Sequence, residues 1–225
     1  MLVIFDCDGV LVDSEIVAAR LEAEAITELG LPMTAETICR RFAGTTTREV
    51  WQTLERELGR PLPVGFFEAH LEHVRDVFAR ELEAIPGART ALERIGADGI
   101  PYCVASSTRL PSLLTNLATA GLADLVDGHV FSASQVKRAK PAPDVFLFAA
   151  SQMGADPADC VVIEDSVAGV TAARRARMRV IGFIGGGHVG EGHDDRLRAA
   201  GAHEIFARMD DFAAVLAAER TSRAR

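Results

Sequence analysis

The chain has 225 residues, enough for one large domain or two unequal ones, and its 48% hydrophobic and 25% charged residues are typical of a soluble globular protein. A formal net charge of −8 without a basic segment argues against nucleic acid as a partner. No apolar run approaches the roughly 20 residues of a membrane span, and no secretory signal is recognisable. We expect a cytoplasmic protein whose cysteines are free thiols, namely Cys7, Cys39, Cys103 and Cys160.

The chain begins with an apolar stretch that ends in two acids. Leu2 to Phe5 is typical of a buried strand, and Asp6, Asp8 and Gly9 follow it. Residues i and i+2 of an extended chain point to the same side, so both carboxylates could face one pocket. Two such acids repel each other unless a cation lies between them. An acidic turn after a core strand is the alternative, while Gly9 is expected to permit a tight turn.

A block of helices follows the acidic pair. Apolar residues recur at helical spacing from Ser14, with Ser14 or Asp13 as the cap, to a stop at Gly30. Further helices are predicted at about 35–41, 47–58 and 67–78. We therefore predict an all-helical cap domain over residues 15–83, inserted into a core domain of residues 1–14 and 84–225.

From residue 84 onward, predicted helices and strands alternate, which indicates an α/β fold with a doubly wound parallel sheet. The expected strands are 101–105, 129–131, 160–163, 179–184 and 204–206, and the expected helices are 88–97, 110–120, 143–153, one ending at 175, and 209–218. Ligands of such sheets bind at the carboxyl ends of the strands. Several polar residues are predicted to converge there, with a lysine from a nearby loop: Asp6, Asp8, Ser106, Glu164, Asp165 and Lys140.

Four motifs resemble those of the haloacid dehalogenase superfamily: Asp6-x-Asp8-Gly-Val-Leu-Val-Asp-Ser-Glu15, Ser106, Lys140-Pro-Ala-Pro-Asp144, and Glu164-Asp-Ser-Val-Ala-Gly169. More narrowly, the chain resembles the β-phosphoglucomutase-like phosphohydrolases of this superfamily, which have a Rossmann-like core and an inserted helical cap. The resemblance implies that Asp6 is the nucleophile forming an aspartyl-phosphate and Asp8 the general acid and base. It also implies that Ser106 and Lys140 bind the phosphoryl group. The implied cofactor is Mg²⁺, held by Asp6, the backbone carbonyl of Asp8, and Asp165, with Glu164 assisting directly or through water.

This resemblance implies a Mg²⁺-dependent phosphatase for a small phosphorylated metabolite, such as a sugar, sugar acid or sugar alcohol phosphate. The mutases it resembles carry a histidine shortly after the first motif, where this chain has Ala18, so hydrolysis is favoured over a hexose-phosphate mutase. True dehalogenases lack the second aspartate, so Asp8 argues against dehalogenation. A catalytically silent binding member is a further alternative. A monomer is expected because the cap must open and close.

Substrate contacts are predicted at two further places. Gly44 and Arg48 lie at the start of a cap helix, where backbone N–H groups and a guanidinium could meet an anionic or hydroxylated substrate. The alternative there is an exposed arginine beside an ordinary helix cap. Ser107 and Thr108 offer hydroxyl groups to the substrate or act as helix N-caps.

Two histidine-containing segments have no predicted role in the chemistry. Gly185-x-Gly187-x-x-Gly190 fits a dinucleotide fingerprint formally, but it follows a late strand and no strongly apolar helix begins at its third glycine. His188 and His193 lack the further Cys or His ligands of a zinc site, so a mobile loop is expected. His70 and His73 are expected to be solvated.

Overall fold

Six parallel strands form one sheet in the computed structural model, which describes residues 1–42 and 45–223. The strand order is β3-β2-β1-β4-β5-β6, so the first strand lies at the centre of the sheet. The strands are β1 (Leu2–Phe5), β2 (Tyr102–Ser106), β3 (Val130–Ser132), β4 (Cys160–Glu164), β5 (Arg179–Phe183) and β6 (Glu204–Phe206). The predicted doubly wound parallel sheet is confirmed, with its topological switch between β1 and β4.

Helices cover both faces of the sheet and also form a block between the first two strands. That block contains α1 (Ser14–Glu28), α2 (Ala35–Phe42), α3 (Thr47–Leu58) and α4 (Phe66–Glu81). The helices of the alternating region are α5 (Ala88–Ala97), α6 (Leu110–Thr119), α7 (Asp144–Gln152), α8 (Val167–Arg175), α9 (His193–Ala200) and α10 (Phe212–Arg223). None of the helices described is both long enough and apolar enough to cross a membrane.

The central strand β1 is apolar at every position because helices cover the sheet on both sides. Val3 and Phe5 contribute to one apolar cluster with residues of α5, α6 and α10. Leu2 and Ile4 contribute to a second cluster with residues of α7, α8 and α9. All four side chains are buried, as the uninterrupted apolar run predicts.

The helices α1–α4 have an apolar cluster of their own, which includes Ile26, Trp51 and Leu54. The two chain segments that lead into and out of this block run side by side. Asp13 donates its backbone N–H to the carbonyl of Glu83, and the Ile85 N–H bonds the Leu11 carbonyl. The predicted insertion of consecutive helices is therefore present. The division into residues 1–14 with 84–225 and residues 15–83 stays a prediction.

The predicted cap of α1 is found only in part, and two other predictions about local structure are wrong. Asp13 holds the N-cap position of α1, but its side chain makes no cap bond and accepts the Gly187 N–H instead, while Ser14 is the first helical residue and donates to Asp8. His70 is buried rather than solvated, with its ring stacked on Phe66. His193 is not part of a loop but begins α9, where it is buried. The cysteine prediction holds: all four are free thiols.

Candidate active site

The site begins where β1 and β4 end, beside the topological switch of the sheet. Asp6 follows β1 and donates its backbone N–H to the Ile163 carbonyl at 2.9 Å, while Asp165 follows β4. Both side chains are buried. Gly9 adopts φ +78°, and a Cβ at this position would lie 2.0 Å from Oδ2 of Asp165. The predicted glycine turn is thus confirmed, and only glycine leaves room for Asp165.

Lys140 lies at the centre of the buried charges. Its Nζ donates to Oδ1 of Asp6 at 2.5 Å, to Oε1 of Glu164 at 2.7 Å and to the Ala105 carbonyl at 3.2 Å. These three bonds use all the hydrogens of the ammonium group. Burial alone would lower the pKa of Lys140, but contact with Asp6 and Glu164 outweighs burial and raises that pKa. Lys140 is therefore positively charged, and each N–H of its ammonium group has an acceptor.

One ammonium group does not balance three buried carboxylates. Burial raises the pKa of Asp6 well above its ordinary value; Lys140 opposes the shift, and nearby carboxylates add to it. Burial, followed by the charge of Glu164, likewise raises the pKa of Asp165. Asp6, Glu164 and Asp165 each offer a ligand oxygen, and these oxygens lie within 4.8 Å of one another. Hard oxygen donors at such separations fit a divalent cation, which would relieve their repulsion.

Glu164 is held more tightly by protein donors than the other two acids of this trio. Its Oε1 accepts from Lys140, and its Oε2 accepts from the backbone N–H of Ser166 at 2.7 Å and the Ser166 hydroxyl at 3.0 Å. Ser166 also caps α8, because its Oγ accepts the Gly169 N–H. Both carboxylate oxygens of Glu164 thus have protein partners, which fits a supporting position beside Lys140.

Asp8 lies apart from the acidic trio found in the described part of the chain and is surrounded by hydroxyl groups. Its Oδ1 accepts from the Ser14 hydroxyl at 2.8 Å. Its Oδ2 accepts from Ser106 at 2.9 Å and Thr108 at 2.8 Å. The predicted metal contact of Asp8 involves its backbone carbonyl and stays a prediction. The two acids of the first motif therefore have different partners.

The segment after β2 only partly follows the sequence prediction. Ser106 is buried and contacts Asp8, whereas Ser107 is exposed. The alternative that Ser107 or Thr108 caps a helix is wrong, because Arg109 holds the N-cap position of α6 and makes no side-chain cap bond. The hydroxyl of Thr108 is directed to Asp8 instead.

Two histidines that the sequence analysis left without a role contact Asp165. His188 Nε2 lies 3.1 Å from Oδ2 of Asp165, and His193 Nε2 lies 2.5 Å from its backbone oxygen. Burial lowers the pKa of both imidazoles, which favours their neutral forms. A signal was available in the sequence, because the segment follows β5 and so begins at the same edge of the sheet as the acids.

Two residues of the predicted cap, Gly44 and Arg48, are expected to contact the substrate. The contacts described for this part of the chain do not connect it to the acidic site. Arg48 is exposed, and its guanidinium lies 4.7 Å from the centroid of the Phe67 ring within the cap. Thr46 and Glu49 form a capping box at the start of α3. Gly44 lies outside the described residues. Substrate binding by Gly44 and Arg48 stays a prediction.

A parallel sheet with an acidic cluster and a buried lysine at its carboxyl edge defines an α/β protein with its candidate site at that edge. Residues 1–177 match the family model of haloacid dehalogenase-like hydrolases. The chain belongs to this family. The predicted enzyme class, a phosphoric monoester hydrolase of the haloacid dehalogenase superfamily, is confirmed at this level.

Three known proteins illustrate the relationship. The chain is 31% identical over 191 residues to 6-phosphogluconate phosphatase of Escherichia coli (strain K12), covering 83% of each chain. A conserved haloacid dehalogenase-like protein of unknown function from Agrobacterium tumefaciens superposes with a TM-score of 0.90 at 41% identity, covering 97% of this chain and 98% of the other. A Thermotoga maritima structure provisionally named β-phosphoglucomutase has a TM-score of 0.77 at 31% identity, covering 96% and 97%. These similarities confirm the predicted β-phosphoglucomutase-like type.

Proposed function

We propose that the protein is a Mg²⁺-dependent phosphatase that hydrolyses a small phosphorylated carbohydrate through an aspartyl-phosphate on Asp6. One observation carries this proposal: the two acids of the first motif have different surroundings. Asp6 belongs to the buried trio and contacts Lys140 at 2.5 Å. Asp8 is held by hydroxyl groups outside the trio. Such a division suits one acid that forms a bond to phosphorus and another that moves a proton.

In the first step, a carboxylate oxygen of Asp6 attacks phosphorus and the bond from phosphorus to the ester oxygen breaks. The leaving alcohol takes its proton from Asp8. In the second step, Asp8 accepts a proton from water, whose oxygen attacks the same phosphorus and breaks its bond to Asp6. Inorganic phosphate leaves, and both acids return to their initial states. The hydroxyl groups around Asp8 suit both forms, because a hydroxyl can donate or accept a hydrogen bond.

Charge stabilisation supplies most of the rate enhancement in this proposal. Phosphate monoester hydrolysis can be accelerated by up to about 10²¹-fold. General acid–base catalysis by a side chain contributes only about 10²–10⁴ of such a factor. Lys140 is buried beside Asp6 and would stabilise the negative charge of the phosphoryl group there. Magnesium held by Asp6 and Asp165, with Glu164 in support, would neutralise further charge on the phosphoryl oxygens when bound.

The substrate class is inferred from the relatives. The similarity to 6-phosphogluconate phosphatase supports a sugar acid phosphate, and the likeness to the protein named β-phosphoglucomutase supports a sugar phosphate. We include sugar alcohol phosphates in the same class because they share the phosphorylated polyhydroxyl chain.

The test is phosphate release from a panel of sugar, sugar acid and sugar alcohol phosphates in the presence of Mg²⁺. We expect at least one ester to be hydrolysed, and Asp6→Asn to abolish release because an amide oxygen is a far weaker nucleophile than a carboxylate. Asp127→Asn is the matched control, since Asp127 is an exposed acid. No release by the wild type from any ester, or full activity of Asp6→Asn, would contradict the proposal.

The same panel distinguishes the mutase alternative, which the likeness to the Thermotoga maritima protein keeps open. A mutase would interconvert positional isomers of a hexose phosphate without net release of phosphate. Binding of phosphorylated sugars without either reaction would indicate a silent member of the family. Ala18 at the position of the mutase histidine favours hydrolysis.

A further inference from the structure

The glycine-rich segment between β5 and α9, residues 184–192, approaches the acidic trio through His188. The His188 side chain is 16% exposed and that of Asp165 is 5% exposed. Nε2 of His188 lies 3.1 Å from Oδ2 of Asp165. This separation lies within ion-pair distance, so the imidazole contacts one defined oxygen of Asp165.

The other ring nitrogen of His188 indicates that the contact with Asp165 sets the position of the ring. Nδ1 is buried and has no hydrogen-bond partner within residues 1–42 and 45–223. A buried polar atom without a partner is unfavourable, so this nitrogen does not explain the burial of the ring. The contact of Nε2 with Oδ2 of Asp165 is the polar interaction that favours this placement of the ring.

Glycines from two separate loops make room for the imidazole. A Cβ at Gly9 would lie 2.8 Å from Cε1 of His188, and a Cβ at Gly186 would lie 2.9 Å from both Cε1 and Nδ1. The next residue, Gly187, donates its backbone N–H to Oδ1 of Asp13 at 2.9 Å. The loop is thus bonded to the segment after β1. The absence of side chains at Gly9 and Gly186 leaves space for the imidazole ring between them.

A second histidine holds the backbone of the same aspartate. His193 Nε2 donates to the carbonyl of Asp165 at 2.5 Å, and its Nδ1 accepts from Arg196 at 3.1 Å. Asp165 is therefore held at its side chain by the glycine-rich loop and at its backbone by α9. Neither contact involves Lys140 or the other two acids of the trio.

We propose that His188 is a positioning residue for the divalent cation site. It holds Oδ2 of Asp165 and leaves the other carboxylate oxygen available to the cation, before the cation arrives. Hydrogen bonds from such outer groups fix the orientation of metal-binding carboxylates and raise the affinity of the site. This inference rests on the Mg²⁺ site of the proposed function.

The test is the dissociation constant of Mg²⁺ alone, measured by calorimetry on EDTA-treated protein without substrate. We expect His188→Ala to weaken Mg²⁺ binding by roughly 10- to 100-fold, the range typical for loss of such a partner. His188→Gln should stay within about threefold of the wild type, because the glutamine amide N–H₂ can reach the place of Nε2. The matched control is His129→Ala, which removes an exposed histidine and should leave Mg²⁺ binding unchanged.

Folding and metal binding are separated by a further variant and a second readout. Thermal unfolding in EDTA identifies a variant that has lost its fold, and His188→Asn then replaces His188→Ala, since asparagine is polar but too short to reach Asp165. Wild-type affinity in the short variants, or equal loss in the Gln and Ala variants, overturns the inference. If the wild type binds Mg²⁺ but releases no phosphate from any ester, the proposed function fails, and the Mg²⁺ affinities of the His188 variants still decide this inference.

Discussion

At the scale of single residues, Asp6 and Asp8 acquire different partners although one residue separates them in the sequence. The chain turns at Gly9, whose positive φ brings the following segment back toward the end of β1. Asp6 lies at the end of β1 and contacts the buried Lys140, whereas Asp8 accepts hydrogen bonds from the hydroxyl groups of Ser14 and Ser106. The turn therefore separates the two functions that the proposed chemistry requires.

Glu22 on α1 makes a pH-dependent contribution to stability. Burial, followed by the charge of Glu15, raises the pKa of Glu22 to about 7. The folded state therefore binds the proton more tightly than the unfolded state, whose carboxyl has its ordinary pKa. The contribution of Glu22 to the free energy of unfolding is fully present below the pKa that its carboxyl has in the unfolded state. It is lost as pH rises through about 7.

We predict that Glu22→Gln stabilises the protein at pH 8 by up to about 3 kcal/mol and has little effect near pH 4, because glutamine resembles the protonated acid. Urea unfolding of both proteins across this pH range measures the difference. Glu24→Gln on the exposed side of the same helix is the matched control. An equal effect of Glu22→Gln at both pH values would contradict the assignment.

At the scale of elements, α8 leaves room for the carboxylate of Glu164 because Gly169 has no side chain. A Cβ at Gly169 would lie 1.5 Å from Oε1 of Glu164, the oxygen that accepts from Lys140. We predict that Gly169→Ala displaces this carboxylate, destabilises the fold by about 1–3 kcal/mol through overpacking, and lowers phosphatase turnover. Chemical unfolding and phosphate release measure the two effects.

Gly96 in α5 provides the matched control for Gly169, because it is also a helical glycine. Its added Cβ would lie 3.7 Å from the Tyr102 ring, an ordinary contact. Gly96→Ala should therefore stabilise the fold by about 0.5–1 kcal/mol through helix propensity alone and leave turnover unchanged. If both substitutions behave alike, Gly169 is not needed for the position of Glu164.

The elements could be predicted from sequence where burial creates a regular pattern. β1 is buried on both faces, and α3 repeats its apolar residues every three or four positions, so both were found with their correct bounds. The helix α9 was missed because half of its residues are charged and only His193 and Leu197 are buried. Its start at a buried histidine was therefore mistaken for loop.

At the scale of the whole molecule, the sequence predicted which backbone positions meet but not which side chains bond. The rule that ligands bind at the carboxyl edge of a parallel sheet brought Asp6, Lys140 and Asp165 together correctly. The hydrogen bond from Ser14 to Asp8 and the contact of His188 with Asp165 depend on rotamers and on the path of loops. No periodicity encodes such contacts, and they became visible only in three dimensions.

We expect the stability of the molecule to depend on divalent cations, because Lys140 does not balance the charge of the acidic trio. We predict that Mg²⁺ at a hundred times its dissociation constant stabilises the fold by about 2.7 kcal/mol, because the cation binds only the folded protein. For a chain of this size, the midpoint of thermal unfolding should rise by roughly 5–10 °C relative to EDTA. Asp165→Asn should remove most of this rise, and Asp127→Asn should retain it. Equal midpoints with Mg²⁺ and with EDTA would contradict the prediction.

The central place of β1 has a consequence for how the chain reaches its active form. Its two neighbours in the sheet are β2 and β4, which begin about 100 and about 160 residues later. During synthesis, Leu2–Phe5 therefore leaves the ribosome long before β2 and β4 have been made. Until then this apolar segment has no neighbouring strand with which to pair. Contacts so distant in sequence slow folding and expose such segments to aggregation. Asp6 thus joins the acidic trio only after the chain has been made through β4 and Asp165.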